Sequence, residues 1–131
     1  GSGKTMIAKR IPTILPPLSR EENIEITKVY SVAGLLPPGQ SLFNHRPFRT
    51  PHHTITTAAL VGGSAQGGVV PGELALASRG VLFLDELPLF SKASIESLRQ
   101  PIEEKQVIIS RLNGTFRYPA YCLLVAAMNN L

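Results

Sequence analysis

The residues best suited to chemistry are Asp85 and Glu86, adjacent carboxylates at the end of the apolar run Val81-Leu82-Phe83-Leu84. Asp85 is the only aspartate in the chain. One carboxylate there could hold Mg²⁺ through water while its neighbour polarises a second water for attack. The chain opens Gly1-Ser2-Gly3-Lys4-Thr5, which matches the last part of the phosphate-cradling pattern G-x-x-x-x-G-K-[ST]. The first glycine of that pattern and the two residues after it would precede residue 1. In it, glycine backbone N–H groups wrap phosphate oxygens, the lysine reaches the β- and γ-phosphates, and the threonine ligates Mg²⁺. A flexible Gly-Ser leader before an ordinary helix would carry the same five residues. Asn129 closes a second apolar run, Cys122 to Met128. A cation with a metal ligand, a carboxylate pair and a polar group to orient water make up the kit for phosphoryl transfer. Their joint occurrence is far more specific than any one piece.

These groups need elements to hold them. A short apolar run bounded by Gly80 predicts a strand buried on both faces, as in a parallel sheet, whose ligands sit at the carboxyl ends of the strands. Cys122 to Met128 predicts a second such strand. The helix through Met6, Ile7 and Ala8 should end near Pro12 or before Pro16-Pro17. Ser19 and Glu22 fit a capping box opening a helix through Ile24, Thr27, Lys28 and Val32, closed by Gly34. Pro37-Pro38-Gly39 breaks the chain, and residues 44–53 read as a loop entering a short strand around Phe48. Gly62-Gly63 and Gly67-Gly68 flank an insert, after which Pro71 predicts a helix from Glu73 to Ala77. Ser91 is the expected N-cap of a helix with Ile95, Leu98 and Ile102 on one face, interrupted and kinked by Pro101. Val107 to Ser110 and Phe116 to Tyr118 predict a hairpin turning on Asn113-Gly114. His52-His53 invites a metal reading, but no Cys or His stands at ligand spacing, which favours a structural or phosphate-facing role.

Composition narrows the class. The 131 residues are 44% hydrophobic and 17% charged, enough for one globular domain with a core. No apolar run approaches the roughly 20 residues that span a bilayer, and no charged-then-apolar leader precedes a cleavage site. A lone cysteine, Cys122, predicts a buried thiol and a reducing, cytoplasmic setting. The formal net charge of +4 allows an anionic partner, nucleotide or nucleic acid.

Five segments carry a family resemblance: Gly-Ser-Gly-Lys-Thr (1–5), Arg-Pro-Phe-Arg-Thr-Pro-His-His-Thr (46–54), Pro-Gly-Glu-Leu-Ala-Leu-Ala (71–77), Gly-Val-Leu-Phe-Leu-Asp-Glu-Leu-Pro (80–88) and Leu-Val-Ala-Ala-Met-Asn (124–129). Together they resemble the AAA+ module of the ComM/YifB group of magnesium-chelatase-like proteins, over nearly the whole chain. The resemblance implies an α/β P-loop NTPase fold, a parallel sheet flanked by helices. Gly1, Ser2, Gly3, Lys4 and Thr5 then look like the nucleotide-binding Walker A, with Thr5 on Mg²⁺. Asp85 and Glu86 look like Walker B, with Asp85 reaching Mg²⁺ through water and Glu86 catalytic, and Asn129 looks like the catalytic sensor 1. Residues 63–77 resemble the insert in helix 2, and 107–119 the hairpin before sensor 1, both of which face the ring pore in relatives.

The same resemblance implies strand order 5-1-4-3-2, of which residues 1–131 hold 4-3-2. Strands 1 and 5, the start of Walker A, the arginine finger and the lid with sensor 2 would lie outside them. The expectation is therefore a partial AAA+ core, P-loop end to sensor 1, which alone is inactive, binds ATP weakly or not at all, and associates through its exposed strand. The family implies a homo-hexameric ATP-driven motor acting on DNA, a helicase promoting branch migration during uptake of foreign DNA. Alternatives are the motor subunit of magnesium chelatase and a non-catalytic nucleic-acid-binding module; the 46–54 motif favours the first reading. Arg111 and Arg117, flanking the hairpin tip, are the expected phosphate contacts to DNA, against a solvated hairpin with incidental charge.

Overall fold

The structure, a computed structural model, describes residues 2–39, 45–65 and 68–129. Gly1 of the expected phosphate cradle lies outside the described residues, as do Asn44 and Gly67. In chain order the elements are α1 (Ser2–Lys9), α2 (Ile11–Ile14), α3 (Arg20–Val32), β1 (Phe48–Arg49), α4 (Thr57–Val61), β2 (Gly63–Ala65) and β3 (Gly68–Val70). There follow α5 (Glu73–Leu76), β4 (Val81–Leu84), α6 (Lys92–Glu104), β5 (Gln106–Arg111), β6 (Gly114–Pro119) and β7 (Leu123–Ala126).

The central sheet is parallel, in the order β1-β4-β7, which is the expected 4-3-2 segment. All four residues of β4 are buried, because the strand is paired on both edges and covered on both faces. Period-2 alternation divides its side chains. Val81 and Phe83 meet Ala8 of α1, with Phe48, Val125 and Ala127 around them. Leu82 and Leu84 face the other way, into the main core with Leu60, Leu74, Phe90, Leu98, Val107 and Ile109. Each such fully buried leucine or phenylalanine contributes about 1.5–3 kcal/mol relative to exposure. A smaller core joins α3 to α5 through Ile26, Val29, Tyr30, Ala75 and Leu76.

Local signals act largely as the sequence predicts. Ser19 Oγ accepts from Glu22 N–H and Glu22 Oε1 accepts from Ser19 N–H, completing the capping box. That backbone hydrogen bond is the main reason the Glu22 carboxyl titrates below its ordinary range. Gly34 turns the chain away from α3 at φ +74°. Ser91 caps α6 by accepting from Ser94 N–H. The first helix ends at Lys9, near Pro12 as expected, and Pro12 itself lies inside the separate short helix α2. Two expectations need correction. Pro101 does not interrupt α6, which runs on to Glu104, because the proline costs one backbone donor near the helix end and the Lys105 N–H still closes onto Pro101 O. The hairpin turns on Leu112-Asn113, since Arg111 pairs with Gly114, which opens β6 at φ +146°.

Cys122 is half-buried against the main core rather than inside it, and desolvation pushes its thiol up to about 11, which disfavours the reactive thiolate. No helix among the described residues is long and apolar enough to cross a membrane.

Two outcomes follow from the sheet. A Cβ on Gly80 would run into the Pro47 carbonyl, which accepts the Val81 N–H at the start of β4. Gly80→Ala should therefore destabilise by about 1–3 kcal/mol, read as a fall of several degrees in the thermal midpoint; an unchanged midpoint would contradict the packing. On the other side, β7 is an edge strand, with Leu123 47% and Leu124 39% exposed. Such an edge is a template for pairing with another chain. The 131-residue chain alone should gain mass with concentration in sedimentation, and Leu124→Lys should suppress it; a concentration-independent monomer would refute the edge contact.

Candidate functional site

The carboxyl ends of β4 and β7 lie side by side, in the register Leu84↔Ala126. Beyond Leu84 the chain reverses at Glu86, whose backbone is left-handed (φ 56°, ψ 55°) and leads into the 3-10 turn Leu87–Leu89. Asp85 Oδ1 accepts the Glu86 N–H at 3.0 Å, and Leu87 N–H donates to Ala127 O at 3.0 Å. The Leu87–Ala127 bond, with Ala127 N–H donating to Leu84 O at 3.0 Å, ties the tips of the strands together beside Asn129, whose Nδ2 donates to Glu86 Oε1 at 2.6 Å.

Lys4 arrives from the opposite direction, on the first turn of α1. Ala8, on the same helix, anchors α1 against Val81 and Phe83. Lys4 Nζ donates to Met128 O at 2.6 Å and to Asn129 Oδ1 at 3.0 Å. A continuous polar chain thus runs Lys4–Asn129–Glu86–Asp85 across residues 125 positions apart. Asn129 is its pivot, accepting from the cation with its oxygen and donating to the carboxylate with its nitrogen. Gly3 and Thr5 share the first turn of α1 with Lys4.

The donor set fits a nucleotide phosphate chain with Mg²⁺. It offers an ammonium, the unpaired N–H groups of a helix start, a threonine hydroxyl and two carboxylates. Asp85 has only one oxygen committed to backbone, and Glu86 and Lys4 are bonded to side-chain or carbonyl groups that a phosphate or water could replace.

The 46–54 motif has a different role. Arg46 donates to Pro16 O and Arg79 O, at 2.8 and 2.6 Å. Arg49 makes a two-pronged ion pair with Glu73, both contacts at 2.8 Å, which is the main cause of its raised pKa. His52 Nδ1 lies 2.9 Å from Thr54 Oγ1, and His53 meets the Phe90 ring edge-on. Among the described residues no group of three or more His, Cys, Asp or Glu could hold a metal ion. Sequence reasoning missed Arg79, whose backbone sits at φ 72° while its guanidinium stacks 4.0 Å over Tyr121 and pairs with Glu25. No local signal marks it, since its acidic partner lies 54 residues away. Nor did it find the Met128 carbonyl as an acceptor for Lys4.

The two hairpin arginines face opposite ways. Arg111 Nε donates to Ser64 Oγ of β2 at 2.8 Å, whereas Arg117 pairs across the hairpin with Ile108 on the outward face.

Comparison with known proteins agrees with this geometry. Residues 1–131 match the family described as magnesium chelatase, subunit ChlI. The chain is 48% identical over 129 residues to YifB of Escherichia coli (strain K12), covering 98% of this chain and 25% of that protein. It is 47% identical over 133 residues to competence protein ComM of Haemophilus influenzae, with the same coverage. It is 46% identical to Rv2897c of Mycobacterium tuberculosis over 129 residues, again covering 98% of this chain and 25% of that protein. The chain therefore spans about a quarter of the length of these relatives. A solved complex between subunits BchI and BchD of magnesium chelatase contains the same fold, with a TM-score of 0.72 at 20% identity, covering 98% of this chain and 44% of that one. With a parallel 4-3-2 sheet and a family match along its whole length, the chain belongs to the magnesium chelatase subunit ChlI family, as an AAA+ module of the YifB and ComM kind.

Proposed function

We propose that residues 1–131 are part of the ATP-binding and ATP-hydrolysing core of a cytoplasmic, homo-hexameric AAA+ motor that remodels DNA. The observation that carries this reading is the convergence of Lys4, Asn129, Glu86 and Asp85 at one sheet end. Gly3, Lys4 and Thr5, with Gly1 and Ser2 before them, would hold the phosphates. Thr5 directly and Asp85 through water would hold Mg²⁺, which when bound neutralises phosphate charge. Glu86 is the base: its carboxylate projects from the strand tip and is held by one hydrogen bond from Asn129. Asn129 orients it and links it to Lys4, so the occupant of the lysine is felt at the base.

DNA is preferred as the substrate because the relatives near 47% identity include a competence protein. A chelatase motor subunit is the second reading, favoured by the family description. DNA-stimulated ATP hydrolysis by the whole protein separates the two: stimulation supports the first reading, and its absence the second.

For the site itself, Glu86→Gln in the whole protein should leave nucleotide binding intact while lowering turnover about 10²–10⁴-fold, the usual worth of a general base. Steady-state hydrolysis alongside titration with a fluorescent nucleotide tests this. Turnover within about threefold of wild type would remove Glu86 from the role.

A further inference from the structure

The hairpin β5–β6 is a sheet of two strands, so each strand has one partner and one outer edge. Pro119 has no N–H, which makes its pair with Gln106 a non-bonded one. Ile108–Arg117 and Ser110–Thr115 share that parity, because bonded and non-bonded pairs alternate along the ladder. The Ser110 carbonyl, which accepts from the Arg111 guanidinium at 2.9 Å, agrees with this. The N–H and C=O groups of Ile108 and Ser110 therefore point away from β6, and those of Thr115 and Arg117 away from β5. Among the described residues, no backbone hydrogen bond beyond the ladder reaches 106–111 or 114–119.

The outer edge of β5 borders a groove of about 480 Å³ against α6. Buried Val107 and Ile109 and exposed Ile108 and Ser110 all line it, so it runs along the strand edge rather than across one face. Native sheets blunt an open edge with lysine, proline or a bulge. This edge has none of these, and its β-branched run Val107-Ile108-Ile109 leaves Ile108 43% exposed. The far wall supplies Glu96 and Glu104 of α6. Glu96 pairs with Arg99 at 3.5 Å and Glu104 accepts from the Gln100 amide at 2.9 Å, all on the exposed helix surface. Pro101, on the same wall, has no N–H to return to the Ser97 carbonyl. An edge with free donors and acceptors, facing two carboxylates, fits an extended strand that bears a cation.

Such a strand exists in this chain. β6 has an unused outer edge and ends in Pro119, a residue that sheets confine to their edges. It displays Arg117, which has no acidic neighbour on its own hairpin, since residues 105–121 contain no carboxylate. We propose that β6 of one copy docks along β5 of a second copy, in the groove beside α6, with its Arg117 against Glu96 and Glu104. The inference rests on the homo-hexameric reading above and names one pair of surfaces that would join the copies. Pairing like edges is disfavoured by charge: β5 on β5 sets glutamates against glutamates, and β6 on β6 sets arginine against arginine. The unlike pairing is heterologous, each copy engaging one neighbour through β5 and another through β6, which is the pattern that generates rings.

The test uses the whole protein in sedimentation velocity with a non-hydrolysable ATP analogue. Wild type should assemble. Arg117→Glu should weaken assembly at least about tenfold, a low bound for like charges set together at an interface. The double variant Glu96→Lys, Glu104→Lys should weaken it as well. Mixing the two variants should restore assembly, because the altered β6 of one meets the altered groove of the other while the remaining edges are native. Amide exchange over residues 106–110 and 115–118 should slow when wild type assembles. Undiminished assembly of either variant alone would overturn the contact, and so would a mixture that stays apart. Exchange that does not slow would overturn the strand pairing. Wild type that remains a monomer would instead refute the homo-hexameric reading, and the inference with it.

Discussion

Pairing of β4 on both edges, with both faces covered, is the constraint from which the site follows. A strand so enclosed can carry no polar side chain along its length, so its carboxylates stand at the first position beyond the ladder. The register with β7 then fixes what they meet. With Leu84 opposite Ala126, and Leu87 bonded to Ala127, the tip of β7 delivers Asn129 to Glu86. Lys4 depends on the same strand from the other side, since Val81 and Phe83 form the surface on which Ala8 seats α1. One buried strand therefore positions acid, amide and cation together.

Cations in this chain divide into two kinds by the company they keep. Arg46, Arg49 and Arg79 are engaged by carbonyls or carboxylates far away in sequence and hold α3, α5 and the start of β4 in place. Their charge is spent internally, and such partly exposed pairs contribute modestly to stability. Lys4 and Arg117 face no carboxylate at hydrogen-bond distance among the described residues. The net positive charge thus says little on its own; its distribution between braces and open positions carries the meaning.

What the sequence reveals depends on how local each signal is. β4 and β7 are legible because burial demands uninterrupted apolar residues, and the caps at Ser19 and Ser91 because hydrogen bonds three residues apart make them. The Lys4, Asp85, Glu86 and Asn129 set is legible because each ends or begins an element whose type could be read. The hairpin is legible but its turn is displaced by one residue, since strand pairing and the packing of Val107 and Ile109 outweigh the preference of Asn-Gly for the turn centre. The two arginines lie on opposite faces in either register; what singles out Arg111 is its bond to Ser64, which only the finished fold supplies. Arg79 was invisible because its partners are brought to it only by the finished fold.

The left-handed backbone of Glu86 has a consequence for the history of this position. A side chain there costs about 1–2 kcal/mol that glycine would not. Folding alone would therefore favour glycine at 86, while turnover on the proposed mechanism requires the carboxylate. Stability and activity pull in opposite directions at a single codon, and selection for thermal robustness alone would drift toward a sturdier, silent protein.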